Sequence, residues 1–183
     1  MNIEIRPVTR NDISEMAKIN INSWRDDYRN IVPDKVLEEL EPEEKSRSLE
    51  NWLFADSNDI RLAYGAFLDD LMVGYITASL TEDIDSEYDV EVNNLFVVKK
   101  YRGLGISLKL LYQIASVFSE LKERQFTSLI LYSWQATASN EYYRKLGGKV
   151  IKEQIQDCGG RKLAADIFAW QLEELIAVLE NKL

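Results

Sequence analysis

Two rhythms of apolar and polar positions run along this chain, and the switches between them outline its elements. Ile3 and Ile5 alternate with charge between Asn2 and Pro7, the period-two pattern of a half-buried strand. Thr9 then offers a side-chain cap, and Ile13, Met16, Ala17, Ile21 and Trp24 recur at helical spacing. Pro33 to Phe54 reads as two short helices, with Pro42 suited to the first turn of the second. Ile60–Leu68 and Leu71–Leu80 are strand-like runs joined by Asp69-Asp70, a two-residue hairpin turn. An extended run over Tyr88–Val98 gives way to Leu104, Leu108, Leu111, Ala115 and Phe118, again at helical spacing. Phe126–Ser133 predicts a strand, and the stretch through Tyr142 and Tyr143 a helix. Lys149–Gln156 and Leu163–Trp170 predict two last strands around Gly159-Gly160, and 171–183 a C-terminal helix. The apolar stripe of that helix, Leu172, Leu175, Ile176 and Leu179, either packs on the body, the default, or pairs with a second copy in a homodimer.

Composition narrows the class. The chain has 183 residues, 46% of them apolar, which suits one domain over 1–183 with a real core. No apolar run approaches the ~20 residues of a membrane span. The first residues carry neither an export nor an import pattern, and Cys158 is the only cysteine, so a cytoplasmic protein without an internal disulfide is expected. A formal net charge of -9 argues against a nucleic-acid partner. There is no histidine, which removes the commonest general base and the commonest metal ligand; no metal is expected. Acid–base chemistry must then fall to carboxylate, tyrosine, lysine, cysteine or water.

The junction at Val97–Ser107 departs from that acidic background. Between Val92 and Ser119 there is no carboxylate, while Lys99, Lys100, Arg102 and Lys109 all lie there. Gly103 and Gly105 sit between the extended run and the helix, and a helix start carries unpaired N–H groups at the positive end of its dipole. Strand, glycine turn and helix together make an anion site, of which phosphate is the usual occupant. A dinucleotide fingerprint would need glycine or alanine at Leu108 and an acid ending the next strand; a P-loop would need Ser or Thr after Lys109. Neither fits.

Arg102-Gly103-Leu104-Gly105-Ile106-Ser107, after the triplet Leu95-Phe96-Val97, resembles motif A of the GNAT acetyltransferase superfamily, Gln/Arg-x-x-Gly-x-Gly/Ala, with Ser107 departing from Gly/Ala. Ser23-Trp24-Arg25-x-x-Tyr28-x-x-x-x-Pro33 resembles its small-molecule enzymes, whose corresponding region covers the acceptor side of the cleft. Trp24 reads first as a core anchor and second as an acceptor contact; for Tyr28 the two are balanced. Tyr143 and Gly147 match the family's motif B, but Ala136, Ser139 and Gly148 stand where asparagine, alanine and phenylalanine are usual. The likeness implies a mixed α/β fold, mostly antiparallel, with one splayed parallel strand pair flanked by helices.

It also implies acetyl-CoA as co-substrate. Leu95, Phe96 and Val97 would contact its pantetheine arm, and backbone N–H groups of Arg102, Gly103, Leu104, Gly105, Ile106, Ser107 and Leu108 its pyrophosphate. Asn93-Asn94, out of place in an unbroken ladder, suits the β-bulge that opens the splay. The implied reaction is direct attack by the primary amine of a small molecule. The N–H of Phe96 or Val97 would hold the oxyanion. Glu91 is the candidate base through water, and Tyr143 the candidate acid, with Tyr142 about 100° around the helix. The acidic stretch Glu82, Asp83, Asp85, Glu87 and Asp89 reads as a solvated loop, yet it leads toward the cleft and would favour a cationic amine. Three alternatives stay open: a non-catalytic acyl-CoA-binding module, a protein N-terminal or lysine acetyltransferase, and, least supported, a nucleotide-binding oxidoreductase.

Overall fold

A computed structural model describes residues 2–56, 59–81, 87–121 and 125–183. The strands are β1 (Glu4–Pro7), β2 (Arg61–Leu68), β3 (Leu71–Leu80), β4 (Val90–Val97), β5 (Ser128–Trp134), β6 (Lys149–Cys158) and β7 (Arg161–Gln171). The helices are α1 (Ile13–Asp27), α2 (Asp34–Glu38), α3 (Pro42–Phe54), α4 (Ile106–Glu120), α5 (Ser139–Lys145) and α6 (Leu172–Glu180). They follow the expected order. A 3₁₀ turn, Arg10–Asp12, precedes α1; Thr9 and Asp12 form its capping box, and the Asp12 carboxylate also accepts two hydrogen bonds from the Arg6 guanidinium (2.9 and 3.0 Å). Pro42 opens α3, where its missing N–H costs nothing. Asp69 and Asp70 both adopt positive φ (48° and 68°), the primed turn that matches strand twist.

The sheet runs β1-β2-β3-β4-β5-β7-β6 and is antiparallel except for β4 and β5. One face carries α4 and α6: Leu110, Ile114, Phe118, Leu172, Leu175 and Leu179 pack on Val73, Ile76, Val90, Leu129 and Phe168. The C-terminal stripe therefore packs on the body. The other face carries α1 and α3, with Ile13, Met16, Ala17, Ile19 and Leu49 against Phe67, Met72 and Tyr75. Burying a large aliphatic or aromatic side chain is worth ~1.5–3 kcal/mol, so both layers pin the sheet between them.

The splay has a local cause. Ala78 pairs with Val92 but Thr77 with Asn94, so Asn93 is an extra residue in β4. Parallel pairing to β5 covers Val90, Glu91 and Val92 and ends there. Asp89 clasps the closed end: its carboxylate accepts from Thr127 N, Thr127 Oγ1, Ser128 N and Ser128 Oγ at 2.8–3.2 Å. Asp89 is thus a structural tie rather than part of a solvated loop; Glu82, Asp83 and Asp85 lie outside the described residues.

Candidate active site

The glycine turn is built as an anion cradle. Gly103 and Gly105 have φ of 80° and 75°, and a Cβ on either would meet nothing within 4 Å. Their requirement is therefore conformational, and the space before them is open. Gly105 is the N-cap of α4, no side chain caps the helix, and Lys109 N to Gly105 O (3.1 Å) is the first bond. Among the described residues, no backbone carbonyl takes the N–H groups from Gly103 through Leu108.

Arg102 corrects the expected donor set. Its N–H bonds Lys99 O at 3.3 Å. Its guanidinium grips Asp27, the last residue of α1, at 2.7 Å on both oxygens, and its Nε reaches Val97 O at 3.0 Å. Arg102 therefore ties α1 and the end of β4 to the turn. Of the other predicted donors, Gly103, Ile106 and Ser107 line the neighbouring cleft. Leu104 is 45% exposed and Leu108 packs against the α4 core, so they and Gly105 shape the turn from outside that cleft.

The cleft, about 430 Å³, lies in the opening between Asn93–Val97 and Leu131–Ser133, with Asp27 and Tyr28 on one flank and Tyr142 and Tyr143 on the other. Its backbone is sorted by the ladder. Val98 N bonds Val73 O (2.9 Å), and Phe96 sits opposite Tyr75 in register. Antiparallel alternation then directs Phe96 N–H to β3, and the N–H groups of Leu95 and Val97 to the opening. Of the two expected oxyanion donors, only Val97 has its N–H directed into the cleft.

The bulge is held by side chains that have no partner close in sequence. Asn94 Nδ2 bonds Thr77 Oγ1 (2.8 Å), while Asn20 Nδ2 on α1 reaches Asn94 Oδ1 (3.3 Å) and Tyr75 Oη (2.9 Å). Asn20, Thr77 and Tyr75 are buried, so these polar groups satisfy one another where water is excluded.

Tyr143 is buried among Tyr142, Phe168 and Trp170, and burial pushes its phenol well above the ordinary range. Tyr28 is pushed up to about 12, again chiefly by burial. Trp24 does not line the cleft; its ring meets Tyr28 edge-on at 4.9 Å and braces it. The helical offset predicts that Tyr142 turns away from Tyr143, but it lines the same cleft, with the two rings 5.6 Å apart. Glu91 lies outside the cleft lining, in register between Ser79 and Ile130; strand alternation puts it on the face opposite Val90 and Val92, the α1 side.

Ser133, Thr137 and Ser139 also line the cleft, their hydroxyls linked through Thr137 at 3.1 Å. The spacing Ser-x-x-x-Thr-x-Ser is their only sequence signal. Asn140 does not replace the missing asparagine: its Nδ2 turns back to Trp134 O and Gln135 O (3.2 and 3.4 Å). Asp27 gives no signal in the sequence, because its role depends on Arg102, 75 positions away.

An uncharacterised N-acetyltransferase of Bacillus subtilis (strain 168), YuaI, is 22% identical over 185 residues, covering 98% of this chain and 99% of that protein. The PaiA N-acetyltransferase from Thermoplasma acidophilum, solved in complex with coenzyme A, has a TM-score of 0.65 at 20% identity, over 91% of this chain and 98% of that one. Arabidopsis thaliana NAA60 in complex with a bisubstrate analogue has a TM-score of 0.67 at 18% identity, over 93% and 98%. The fold is shared with both structures. Residues 20–148, which run from the middle of α1 through the splayed strands to the paired tyrosines, match the model of the acetyltransferase (GNAT) family, and the chain belongs to that family.

Proposed function

We propose that the chain transfers acetyl from acetyl-CoA to the primary amine of a small molecule by direct attack. The observation that carries the acceptor class is the tip of the β6–β7 hairpin. Gly159 there packs so closely on Val36, with Pro33 beside it, that a Cβ would have no room. The hairpin is thereby strapped to α2 and to Pro33, the end of the connection that begins at Tyr28. Such a strap suits a small acceptor better than a polypeptide laid across the sheet. A protein N-terminus or lysine is the competing acceptor class.

The residues present fit the co-substrate. Open space before Gly103 and Gly105, and N–H groups without carbonyl partners, suit a pyrophosphate. The free edge of β4 at Leu95 and Val97 suits the amides of a pantetheine arm. Acetyl-CoA supplies the activated thioester. Val97 N–H is the donor for the carbonyl oxygen as charge develops there. Glu91 takes the amine proton through water from the α1 side. Tyr143, on the cleft wall with its phenol raised by burial, is the candidate acid for the leaving sulfur, for which a pKa of ~8.5 is ordinary. A cationic amine suits the net charge of -9, and a single cysteine suits the cytoplasm.

Thiol release from acetyl-CoA, measured across small amines and across peptides with free N-termini or lysines, tests the reading. Turnover with small amines is expected. Turnover on peptides alone would move the acceptor to the protein class, and binding without any thiol release would make the chain a non-catalytic acyl-CoA module.

A further inference from the structure

Among the described residues, one buried side-chain polar atom has no hydrogen-bond partner: the hydroxyl of Tyr142. It belongs to a ring that lines the cleft, on the α5 flank. Ser107 lines the same cleft, in the first turn of α4 at the anion cradle. Burial raises the Tyr142 phenol, and Ser107 is the group that opposes the rise. The two hydroxyls are therefore close enough to act on each other, yet they complete no hydrogen bond of normal geometry in the free chain. A buried donor left unpaired is a standing cost, and native structures keep few of them. One kept on the wall of a ligand cleft points to a partner that arrives with the ligand.

We infer that Tyr142 and Ser107 form a two-hydroxyl relay that closes on the pyrophosphate of the bound co-substrate. Ser107 O–H donates to a phosphate oxygen at the α4 N-terminus, and Ser107 Oγ then accepts from Tyr142 O–H. The order of donors is set by the anion: phosphate only accepts, so serine must donate to it and has its lone pairs left for tyrosine. The charge strengthens the first bond and polarises the second. Binding thus joins the α4 turn to α5, and brings Tyr143, the neighbour of Tyr142, under the same control. The relay involves no covalent step. It rests on the acetyl-CoA reading and adds to it residues that discriminate the diphosphate end of the ligand.

The test uses the full chain, melting temperatures and calorimetry with CoA and with pantetheine, which lacks the diphosphate. Tyr142→Phe removes an unpaired hydroxyl, so the free chain should melt no lower than wild type. The same variant should bind CoA about tenfold more weakly, the worth of one hydrogen bond to a charged system. Its affinity for pantetheine should equal that of wild type. Ser107→Ala should weaken CoA likewise, and the double variant should be no weaker than the worse single one, since either change breaks the relay. Unchanged CoA affinity in Tyr142→Phe, fully additive losses, or equal losses for CoA and pantetheine would overturn the relay while leaving the acetyl-CoA reading in place. A wild-type chain that binds no CoA would instead remove that reading, and the relay with it.

Discussion

Replacing Gly105 by aspartate separates ligand binding from folding at the anion cradle. The residue has φ of 75°, and a Cβ there would find no atom within 4 Å, so alanine or aspartate meets backbone strain alone. That strain is ~1–2 kcal/mol for a side chain in the left-handed region. Aspartate recovers part of it, because a carboxylate at the start of α4 caps free N–H groups and faces the positive end of the dipole, worth ~0.5–1 kcal/mol. The net cost to folding is then about 1 kcal/mol, or ~2–4 °C in a chain of this size. Binding suffers far more. A carboxylate about 4 Å from a phosphate charge repels it by ~4 kcal/mol at an effective dielectric of 20. Solvent access at the turn trims this to ~2–3 kcal/mol, roughly a 30- to 150-fold loss of affinity. Gly105→Ala carries the strain without the charge and should lose less than tenfold. Calorimetry with CoA, beside thermal melts of the wild type and both variants, measures every term. A folded Gly105→Asp chain that binds CoA as tightly as Gly105→Ala would refute the cradle.

Glu91→Gln keeps shape and removes basicity; kcat near neutral pH should fall ~10²-fold or more with acetyl-CoA affinity kept, and an unaltered pH–rate profile would take the proton step away from Glu91. Tyr143→Phe should cut kcat by about tenfold and leave the alkaline limb of the profile where it is, because burial already holds that phenol above the accessible range; a shift of the limb would show that Tyr143 titrates. Tyr143→Ala, which empties a buried aromatic site, should cost ~3–5 kcal/mol and lower the melting temperature by about 6–20 °C. Asp12, held by Arg6 at a pKa of about 2, stabilises the fold above its unfolded value of ~3.9, and that contribution is lost as pH falls through 2. Asp12→Asn should therefore lower the melting temperature at pH 6 and converge with wild type near pH 2, and a difference that persists there would assign the effect to something other than charge.

What could be read from the chain was local. The hairpin at Asp69-Asp70, the start of α3 at Pro42, the glycine turn and the bulge at Asn93-Asn94 each follow from residue types within a few positions. The same logic located the anion cradle, while the splayed strand pair followed from the likeness to the GNAT family. It failed where a role is assigned by a distant partner. Asn94 was legible as a strand breaker, but not as the residue that α1 holds through Asn20. Asp89 looked like one more acid in a loop, because its clasp depends on Thr127 and Ser128. Phe96 and Val97 could not be told apart until the ladder showed which N–H groups β3 uses.

Gly148 shows how such distant partners decide whether a departure from a motif is a loss. The family places phenylalanine there, and its absence reads in sequence as a missing piece of core. In the fold, Trp170 of β7 occupies the space: a Cβ on Gly148 would run into its ring, and its Nε1 bonds Leu146 O at 3.0 Å. The tryptophan stacks with Phe168 and meets Tyr143 edge-on, so an aromatic group still backs the catalytic candidate, supplied from 22 positions later. Glycine is then required, and restoring the family's phenylalanine would overpack a filled site. The missing asparagine at Ala136 has no such replacement in Asn140, which is committed to the turn. Ser133, Thr137 and Ser139 instead bring three hydroxyls to the cleft lining, linked to one another through Thr137 at 3.1 Å.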